Sequence, residues 1–354
     1  MRIKKLLQRF IPSYRVAQQT ADMINNLSYQ FENTNRKIRE VNNRIQVLDE
    51  KMEYLFFLSQ RSSDESELDT RKRVFLNCPK ATGVLRTIQL AENIILNRIK
   101  KICDENSIHF FLSDGTLIGA VRHRGFIPWD DDIDIGMMRE EYEKFRVAVK
   151  KDDLIELATY YCYYSEEVIN ITHKVKIKGN DLFFVDIFVY DYMECNDESL
   201  DAAMDSYCDL SYAFHREFAD YMTKEGITEF KVGDSYIPRS IPELDDVFYS
   251  IYKNHYDRFG KLGKGEYFCL GFEFSTTFLK KMKILSRNRY LPLLVNSIEF
   301  EGTRYDCLRN CVDYLAVQYG DIWTFPKNIN PHHLHEIGEL GEKDIELIKE
   351  LGIS

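Results

Sequence analysis

The feature that most constrains the fold is an acidic run set into an apolar alternation. Four aspartates occupy the five positions from Asp130 to Asp134, and Ile135 and Gly136 follow. Side chains on a β-strand alternate between its two faces, so Asp132 and Asp134 would face one side and Ile133 and Ile135 the other. The pattern predicts a strand that is anchored in the core by isoleucines and presents two carboxylates to a cleft.

Two neighbouring carboxylates repel each other unless positive charge lies between them. A solvated acidic turn would also relieve the repulsion, but the apolar alternation favours a strand. Ligands that are all oxygen suit Mg²⁺ or Mn²⁺. A third carboxylate, Asp186, lies in the apolar stretch "FFVDIFVYD". The sequence therefore predicts a metal site formed by Asp132, Asp134 and Asp186; the alternative is that Asp186 only accepts backbone hydrogen bonds.

The residues before the acidic run add a second element. Gly115 and Thr116 lie where a buried strand, predicted over "HFFLSDGT", enters a turn that leads into a short helix. Such a turn offers backbone N–H groups and a hydroxyl to a phosphate. Arg122, His123 and Arg124 follow and could bind further phosphate oxygens. Together with the acidic strand, these residues predict a site for a phosphate and a divalent ion.

Charge and hydropathy exclude several classes of protein. The net charge of −10 argues against a nucleic-acid binder, because such proteins are usually basic. No apolar run is long enough to cross a bilayer. Residues 1–15 hold five basic side chains and no acidic one. We expect this terminus to form either a short interfacial helix on anionic lipid or a frayed basic end.

Residues 16–58 contain the clearest periodicity of the chain. Within them, apolar positions are separated alternately by three and four residues, with polar residues between and no Pro or Gly. This seam consists of Ile24, Leu27, Phe31, Thr34, Ile38, Val41, Ile45, Leu48, Met52 and Leu55. So narrow a stripe cannot bury itself on an isolated helix, so the pattern predicts a coiled coil, with a second copy of the chain as the favoured partner. The alternative is a long helix docked on its own domain.

The rest of the chain is less regular. We predict a polar linker over 59–73, a helix from Leu85 to Ile102, and a helix over "REEYEKFRVAVKK" after the acidic strand. The stretch "NITHKVKIKGNDLFFVDIFVYDYM" alternates like a hairpin that turns at Gly179 and Asn180. Residues 198–260 are predicted to be a helical insertion rich in aromatics, which either line an acceptor groove or belong to the core, the core being favoured. Residues 336–354 are predicted to be a helix or tail.

The eight cysteines show no disulfide pattern. Cys307 and Cys311 lie near His332, His333 and His335, so a Cys/His metal site is an alternative. Their spacing is unlike that of paired zinc ligands, and reduced thiols of a cytosolic protein are the favoured interpretation.

The block "GTLIGAVRHRGFIPWDDDIDIGMMREEYEKF" resembles the signature of the LicD family, relatives of fukutin and fukutin-related protein. Two further islands, "FFVDIFVYD" and "YLAVQYGDIWTFP" (314–326), extend the resemblance over roughly 84–335. It implies an α+β fold: a nucleotidyltransferase-like mixed sheet with flanking helices over 74–335, preceded here by the coiled-coil helix. It also implies transfer of a phosphorylated alcohol, such as phosphocholine, from a CDP-activated donor to a glycan hydroxyl.

By position, the resemblance makes Asp132, Asp134 and Asp186 catalytic metal ligands, with Asp130 as an accessory ligand. It makes Gly115 and Thr116 the phosphate-cradling turn. The remaining donor-binding residues that it implies are Arg122, His123, Lys174 and Lys176.

The chain departs from the family pattern at three points. Asp114 and Ile118 replace a Gly and a Leu of "GGTLLG", and Val189 replaces the proline of "DIFP". The proline-containing segment that family members usually have near "FEGTRYDCLRN" is also missing. These changes bear on donor and acceptor preference, because the metal residues are all present.

We therefore expect a Mg²⁺- or Mn²⁺-dependent phosphotransferase with a CDP-alcohol donor and a glycan acceptor, located in the cytoplasm at the inner face of the cell membrane. Two other functions use the same features. A nucleotidyltransferase would attack the α-phosphate of a nucleoside triphosphate with the same carboxylates. A non-catalytic assembly factor would use the coiled coil as its working part.

Overall fold

The computed structural model describes residues 12–165, 168–227, 231–232, 235–236, 239–259, 265–280, 282–291, 297–326 and 340–353. These residues form two compact units, one ending at Arg71 and the other beginning at Lys72. The helices are α1 Pro12–Gln60, α2 Glu67–Leu76, α3 Gly83–Asn106, α4 Asp114–His123, α5 Arg139–Ala148, α6 Leu200–Lys224, α7 Asp245–Phe259, α8 Thr276–Leu279, α9 Arg287–Tyr290, α10 Cys311–Tyr319 and α11 Glu342–Glu350.

The strands are mostly short. They are β1 Phe111–Leu112, β2 Asp134–Met138, β3 Ile155–Ser165, β4 Val168–Ile177, β5 Phe184–Met193, β6 Lys231–Val232, β7 Ser235–Tyr236, β8 Arg239–Ser240, β9 Tyr267–Leu270, β10 Leu285–Ser286, β11 Ser297–Phe300 and β12 Thr303–Asp306.

The first unit is built on α1, which is 49 residues long and includes the whole predicted seam. The apolar side chains of the seam are exposed; those of Val41, Leu48 and Met52 belong to residues that are 53%, 59% and 69% accessible. The apolar stripe of α1 is therefore exposed along the helix, as a coiled-coil seam without its partner would be. Pairing with a second helix stays a prediction.

The linker predicted over 59–73 is wrong in its second half, where α2 begins at Glu67. The hydroxyl of Ser66 accepts a hydrogen bond from the backbone N–H of Asp69 at 3.1 Å and donates one to the Asp69 carboxylate at 2.6 Å. A Ser followed three residues later by an acidic residue is a helix-start signal. The polar composition of the segment concealed it.

The second unit contains a mixed sheet of eight strands. Six of them lie in the order β1-β2-β5-β4-β3-β8, and β9 pairs with β5 and with β10. Strands β2 and β5 are parallel, and the other pairs are antiparallel. With helices around this sheet, the predicted α+β class is confirmed.

The sequence located some strands better than others. The hairpin of β4 and β5 is confirmed, and Gly179 at its turn has a φ of +75°, which a residue with a side chain rarely adopts. The strand predicted to start at Asp132 begins instead at Asp134. Strand β3 was not predicted; its Tyr-rich sequence lacks a polar alternation.

The core lies between the sheet and its helices. Helix α3 buries Ile88, Ile95 and Ile99 almost completely, as its helical spacing predicted. Helices α6 and α7 form the helical part of 198–260, and their Phe214 and Tyr252 are core residues. The core interpretation is confirmed for these two aromatics, whereas Tyr212 of the same region is exposed.

A buried ion cluster stabilises the sheet away from the acidic run. The guanidinium of Arg139 donates to both carboxylate oxygens of Asp191, at 2.9 and 3.0 Å, and to Glu273 at 2.7 Å. The hydroxyls of Tyr207 and Tyr252 donate to Asp191 at 3.1 and 3.0 Å. Removing one member would leave a buried charge without its partner, so we regard this cluster as structural.

Candidate metal and phosphate site

Asp134 and Asp186 lie side by side because their strands are parallel and in register. Asp134 on β2 is paired directly with Asp186 on β5, and the backbone N–H of Asp186 donates to the carbonyl of Ile133 at 2.8 Å. The flanking Val185 and Ile187 are buried on the opposite face. The alternation in both strands thus places two carboxylates on one face of the sheet, on two neighbouring central strands.

Asp132 joins this pair from the segment that precedes β2. Carboxylate oxygens of Asp132, Asp134 and Asp186 lie within 4.8 Å of one another, and so do those of Asp130, Asp131 and Asp132. The three predicted metal ligands therefore meet. Asp132 belongs to both groups, which makes the acidic region one continuous surface.

Burial and mutual repulsion both disfavour ionisation in this cluster. The pKa of Asp134 is raised well above its usual range, first by burial and then by the charges of Asp132, Asp114 and Asp186. The pKa of Asp130 is raised for the same reasons, with Asp132 and Asp131 as the nearby charges. Carboxylates in such surroundings ionise readily only when a cation compensates them.

Lys174 supplies one compensating charge. It is paired with Asp186 in the register of β4 and β5, and its ammonium lies 3.0 Å from the Asp186 carboxylate. One lysine cannot neutralise three carboxylates, so the oxygen donor set fits Mg²⁺ or Mn²⁺. Lys176 lies two residues further along β4. Its ammonium pairs with the carboxylate of Asp181 and lies 3.5 Å from that of Glu156. Lys174 is therefore at the acidic site, and Lys176 contacts another carboxylate pair.

The predicted phosphate turn is the first turn of α4. A side chain at Gly115 would bring its Cβ to 3.0 Å from the Asp130 carboxylate and 3.6 Å from that of Asp134, which explains the glycine. Thr116 accepts a hydrogen bond from the backbone N–H of Asp134 at 2.7 Å, so its hydroxyl holds the start of β2. A helix N-terminus faces the acidic region, and it is a favourable place for a phosphate that a cation bridges to the carboxylates.

Arg122 and His123 lie at the other end of α4, and both contact Phe75. The Arg122 guanidinium stacks 3.8 Å over the Phe75 ring. His123 donates from Nδ1 to the Phe75 carbonyl at 2.7 Å, and its ring meets Trp129 edge-on. Burial, followed by the charge of Arg122, lowers the pKa of His123 to about 4. His123 is thus neutral near pH 7 and part of an aromatic packing group, whereas Arg122 is close enough to lower the pKa of Asp130.

Asp114 is a further carboxylate beside the site. It has a φ of +43°, which is costly for a residue other than glycine. Its carboxylate accepts hydrogen bonds from the Ser113 hydroxyl at 2.6 Å and from the hydroxyl of Tyr319 at the end of α10. These hydrogen bonds stabilise the backbone at Asp114, the position where the family pattern has a glycine.

Glu92 on α3 was missed by sequence reasoning, because it interrupts an apolar face that otherwise explains the helix. It is fully buried, and neither carboxylate oxygen has a hydrogen-bond partner. Burial, and then the charges of Asp132, Asp131 and Asp130, raise its pKa well above the usual range. The available signal was an acidic residue on the buried face of a helix, which is rarely tolerated without a partner.

The alternative Cys/His site is only partly covered by the structure. Cys307 is buried and Cys311 half-buried, and both are free thiols. His332, His333 and His335 lie outside the described residues. Within the described ranges, the groups suited to bind a metal are the two acidic ones above.

The comparison with known families agrees with this geometry. Residues 107–225 match the model described as "LicD/FKTN/FKRP, nucleotidyltransferase domain". This segment is similar to LicD-family domains. It includes the acidic run, α4 and the strand of Asp186, and it ends before the third island at 314–326.

Individual relatives point the same way. A lipopolysaccharide cholinephosphotransferase LicD of Haemophilus influenzae is 38% identical over 117 residues, which are 30% of this chain and 44% of the relative. Uncharacterised proteins of Rickettsia typhi and Rickettsia prowazekii are 48% and 51% identical over 46 and 41 residues, 13% and 12% of this chain and 15% of each relative. The chain thus spans less than half the length of each of these relatives.

Two expectations concern membranes: an interfacial helix at residues 1–15 and the lack of a membrane-spanning segment. Most of residues 1–15 lie outside the described residues. Along the part of the chain that the structure describes, no helix combines the length and apolarity needed to cross a bilayer.

Proposed function

We propose that this chain is a metal-dependent transferase that moves a phosphorylated alcohol, such as phosphocholine, from a CDP-activated donor to a hydroxyl of a cell-surface glycan or its lipid-linked precursor. The observation that supports it best is the convergence of Asp132, Asp134 and Asp186 within 4.8 Å, beside two central strands of a segment that matches the LicD-family model. The name of the Haemophilus relative, a lipopolysaccharide cholinephosphotransferase, supports the choice of phosphocholine.

In this proposal Asp132 and Asp134 would bind Mg²⁺ or Mn²⁺, with Asp130 as an accessory ligand. When bound, the cation would neutralise the diphosphate of the donor. The N-terminus of α4, at Gly115 and Thr116, would receive a phosphate through backbone N–H groups. Arg122 would add positive charge from the far end of the same helix.

Asp186 would accept the proton of the acceptor hydroxyl. The hydroxyl oxygen then forms a bond to the phosphorus that bears the alcohol, the bond from that phosphorus to the bridging oxygen breaks, and CMP leaves with the electron pair. Lys174, 3.0 Å from Asp186, orients its carboxylate for this step. As in phosphoryl transfer generally, positioning and charge stabilisation would account for most of the rate.

Release of CMP tests this function. The full chain is incubated with Mg²⁺ and a panel of CDP-alcohols and candidate glycan acceptors, and the nucleotide product is identified. We expect CMP, and we expect Asp186→Asn to abolish it, while Asp209→Asn on the exposed surface of α6 leaves it unchanged. Pyrophosphate released from a nucleoside triphosphate would instead support a nucleotidyltransferase. No transfer with any donor, despite bound metal, would support a non-catalytic assembly factor.

We also propose that the exposed seam of α1 pairs with a second copy of the chain, and that the basic terminus brings the protein to the inner face of the cell membrane. The exposed apolar stripe supports the first proposal. The composition of residues 1–15 supports the second, and the glycan substrate implied by the family would place the acceptor at that surface.

A further inference from the structure

Residues 125–130 join α4 to the acidic run and form neither a helix nor a strand. Asp134 is fixed by the pairing of β2 with β5, but Asp130 and Asp132 precede that strand. The positions of their carboxylates therefore depend on the contacts that fix residues 125–130. The hairpin of β11 and β12 and the helix α3 both contact this segment.

Glu301 lies at the tip of that hairpin, in a turn that does not favour a glutamate. β11 and β12 are joined by Glu301 and Gly302, whose φ values are +45° and +81°. A two-residue turn of this kind favours Asn, Asp or Gly at its first position, since other side chains are strained at positive φ. The turn by itself gives no physical reason for a glutamate, whereas the contacts of its carboxylate do.

The tip of the hairpin packs on the start of the segment. The Glu301 carboxylate accepts a hydrogen bond from the backbone N–H of Phe126 at 3.4 Å, and the backbone N–H of Glu301 donates to the carbonyl of Arg124 at 3.0 Å. A side chain at Gly125 would overlap the Glu301 carboxylate, and one at Gly119 would bring its Cβ to 2.5 Å from the Gly125 carbonyl oxygen. The chain at Gly125 is therefore held between α4 and the hairpin, with no room for a side chain.

The carboxylate of Glu301 is ionised and nearly inaccessible. Its side chain is 6% accessible, and it forms ion pairs with Arg86 at 2.7 Å and with Lys80 at 2.8 Å. Burial opposes ionisation, but the hydrogen bonds from Arg86 and Lys80 outweigh it and lower the pKa of the Glu301 carboxyl below its usual range. Hydrogen bonds between charged groups are stronger than neutral ones, so these pairs hold the carboxylate in a defined position.

Arg86 extends the contact of Glu301 to the far end of the segment. Its guanidinium also donates to the side-chain oxygen of Gln89 at 3.1 Å. With that oxygen occupied, the amide nitrogen of Gln89 faces the segment and donates to the carbonyl of Asp130 at 2.8 Å and to that of Ile127 at 3.4 Å. Glu301, Arg86 and Gln89 thus form one hydrogen-bonded chain that contacts the segment at both ends.

We propose that Glu301 is a positioning residue, which acts with Arg86 and Gln89 to fix the segment that precedes the acidic run. Its effect on the carboxylates passes through the backbone of that segment. All three residues lie outside residues 107–225, the part of the chain that matches the family model. The inference rests on the proposed function, because it names residues that support the same site. Misplacing reacting groups by about 1 Å can cost on the order of a hundredfold in rate.

Hydrogen exchange of the full chain, measured without substrate, tests how firmly the segment is held. Glu301→Asn removes the carboxylate contacts and supplies a residue that suits the turn, and Gln89→Leu removes the donor to Asp130. We expect the amides of residues 126–132 to exchange about tenfold faster or more in each variant, with wild-type rates in β4 and β5, whereas a loss of global stability would accelerate the strands as well. Glu299→Asn, the same change at an exposed position of the same hairpin, should leave all rates unchanged.

Turnover separates positioning from a role in the turn. We expect kcat for CMP release to fall about tenfold or more in Glu301→Asn and in Gln89→Leu. The double variant should fall no further than the more impaired single variant, because both changes release the same segment. Glu301→Gln keeps an oxygen within reach of Arg86, so it should retain more activity than Glu301→Asn, although Asn suits the turn better.

Wild-type exchange over residues 126–132 in either variant would overturn the inference, and so would equal acceleration in β4 and β5. The inference would also be overturned if Glu301→Asn were at least as active as Glu301→Gln. If Glu301→Asn is not folded, Gln89→Leu decides by the same measurements. A wild type that releases no CMP would refute the proposed function, whereas faster exchange confined to the segment would still uphold its fixation by Glu301.

Discussion

Replacing Asp134 by Asn should make the protein more stable and less active. In the absence of divalent ions, the Asp134 carboxylate lies within 4.8 Å of those of Asp132 and Asp186. Two unit charges at that distance repel by roughly 3 kcal/mol at an effective dielectric constant of about 20. Lys174 and partial protonation relieve part of this repulsion, because the pKa of Asp134 is raised by burial and by its neighbours.

We therefore expect Asp134→Asn to raise the free energy of unfolding in EDTA by about 1–3 kcal/mol. For a unit of this size, each kcal/mol shifts the melting temperature by roughly 2–4 °C. Saturating Mn²⁺ should reverse the order, because a ligand at a hundred times its dissociation constant adds about 2.7 kcal/mol to the wild type and much less to a variant that lacks a ligand. Turnover should fall by about a hundredfold or more.

The assay is thermal unfolding by circular dichroism, with EDTA and with Mn²⁺, on the wild type, Asp134→Asn and Asp209→Asn. Asp209 is exposed on α6, so its variant controls for the loss of one negative charge. An Asp134→Asn protein that is less stable than the wild type in EDTA, and gains as much as the wild type from Mn²⁺, would refute the reasoning.

Three other perturbations test the fold. Glu273→Gln should cost about 3 kcal/mol in urea unfolding, since it removes a buried partner of Arg139; a loss below about 1 kcal/mol would contradict the structural role of that cluster. Burial lowers the pKa of His215 to about 4, so the unfolded state binds a proton that the folded state cannot bind. Stability should therefore fall by up to roughly 3 kcal/mol as the pH drops from about 6.5 towards 4, and His215→Gln should remove that part of the loss. The double variant Val41→Asp/Leu48→Asp should lower the mass measured by light scattering, and an unchanged oligomer would contradict self-association through the seam.

The residue pattern of a segment was sufficient to predict its secondary structure where the pattern extends over the whole helix or strand. The seam of α1 specifies a helix without any tertiary contact, because the three- and four-residue spacing of its apolar positions can be read directly from the sequence. The alternation around Asp186 likewise specified a strand with a carboxylate opposite its apolar face. The linker prediction is wrong from Glu67 onwards because the segment is as polar as a linker, although Ser66 is a helix-start signal.

Roles that depend on distant partners could not be assigned locally. His123 is adjacent to Arg122 in the sequence, but its hydrogen bond to Phe75 makes it a packing residue. Lys174 and Lys176 look equivalent on their strand, yet the register of β4 against β5 places only Lys174 opposite Asp186. Each distinction follows from which strand or helix lies beside the residue.

The sequence by itself determined that this chain has a long helix with an apolar stripe and two strands that each present aspartates away from the core. Both follow from the fixed periods of helix and strand. Only the tertiary structure decided that Asp134 and Asp186 are neighbours, since a parallel register joins residues that are far apart in the chain. It also brought the buried Glu92 to the same acidic region, because side chains from separate elements meet only when the core packs.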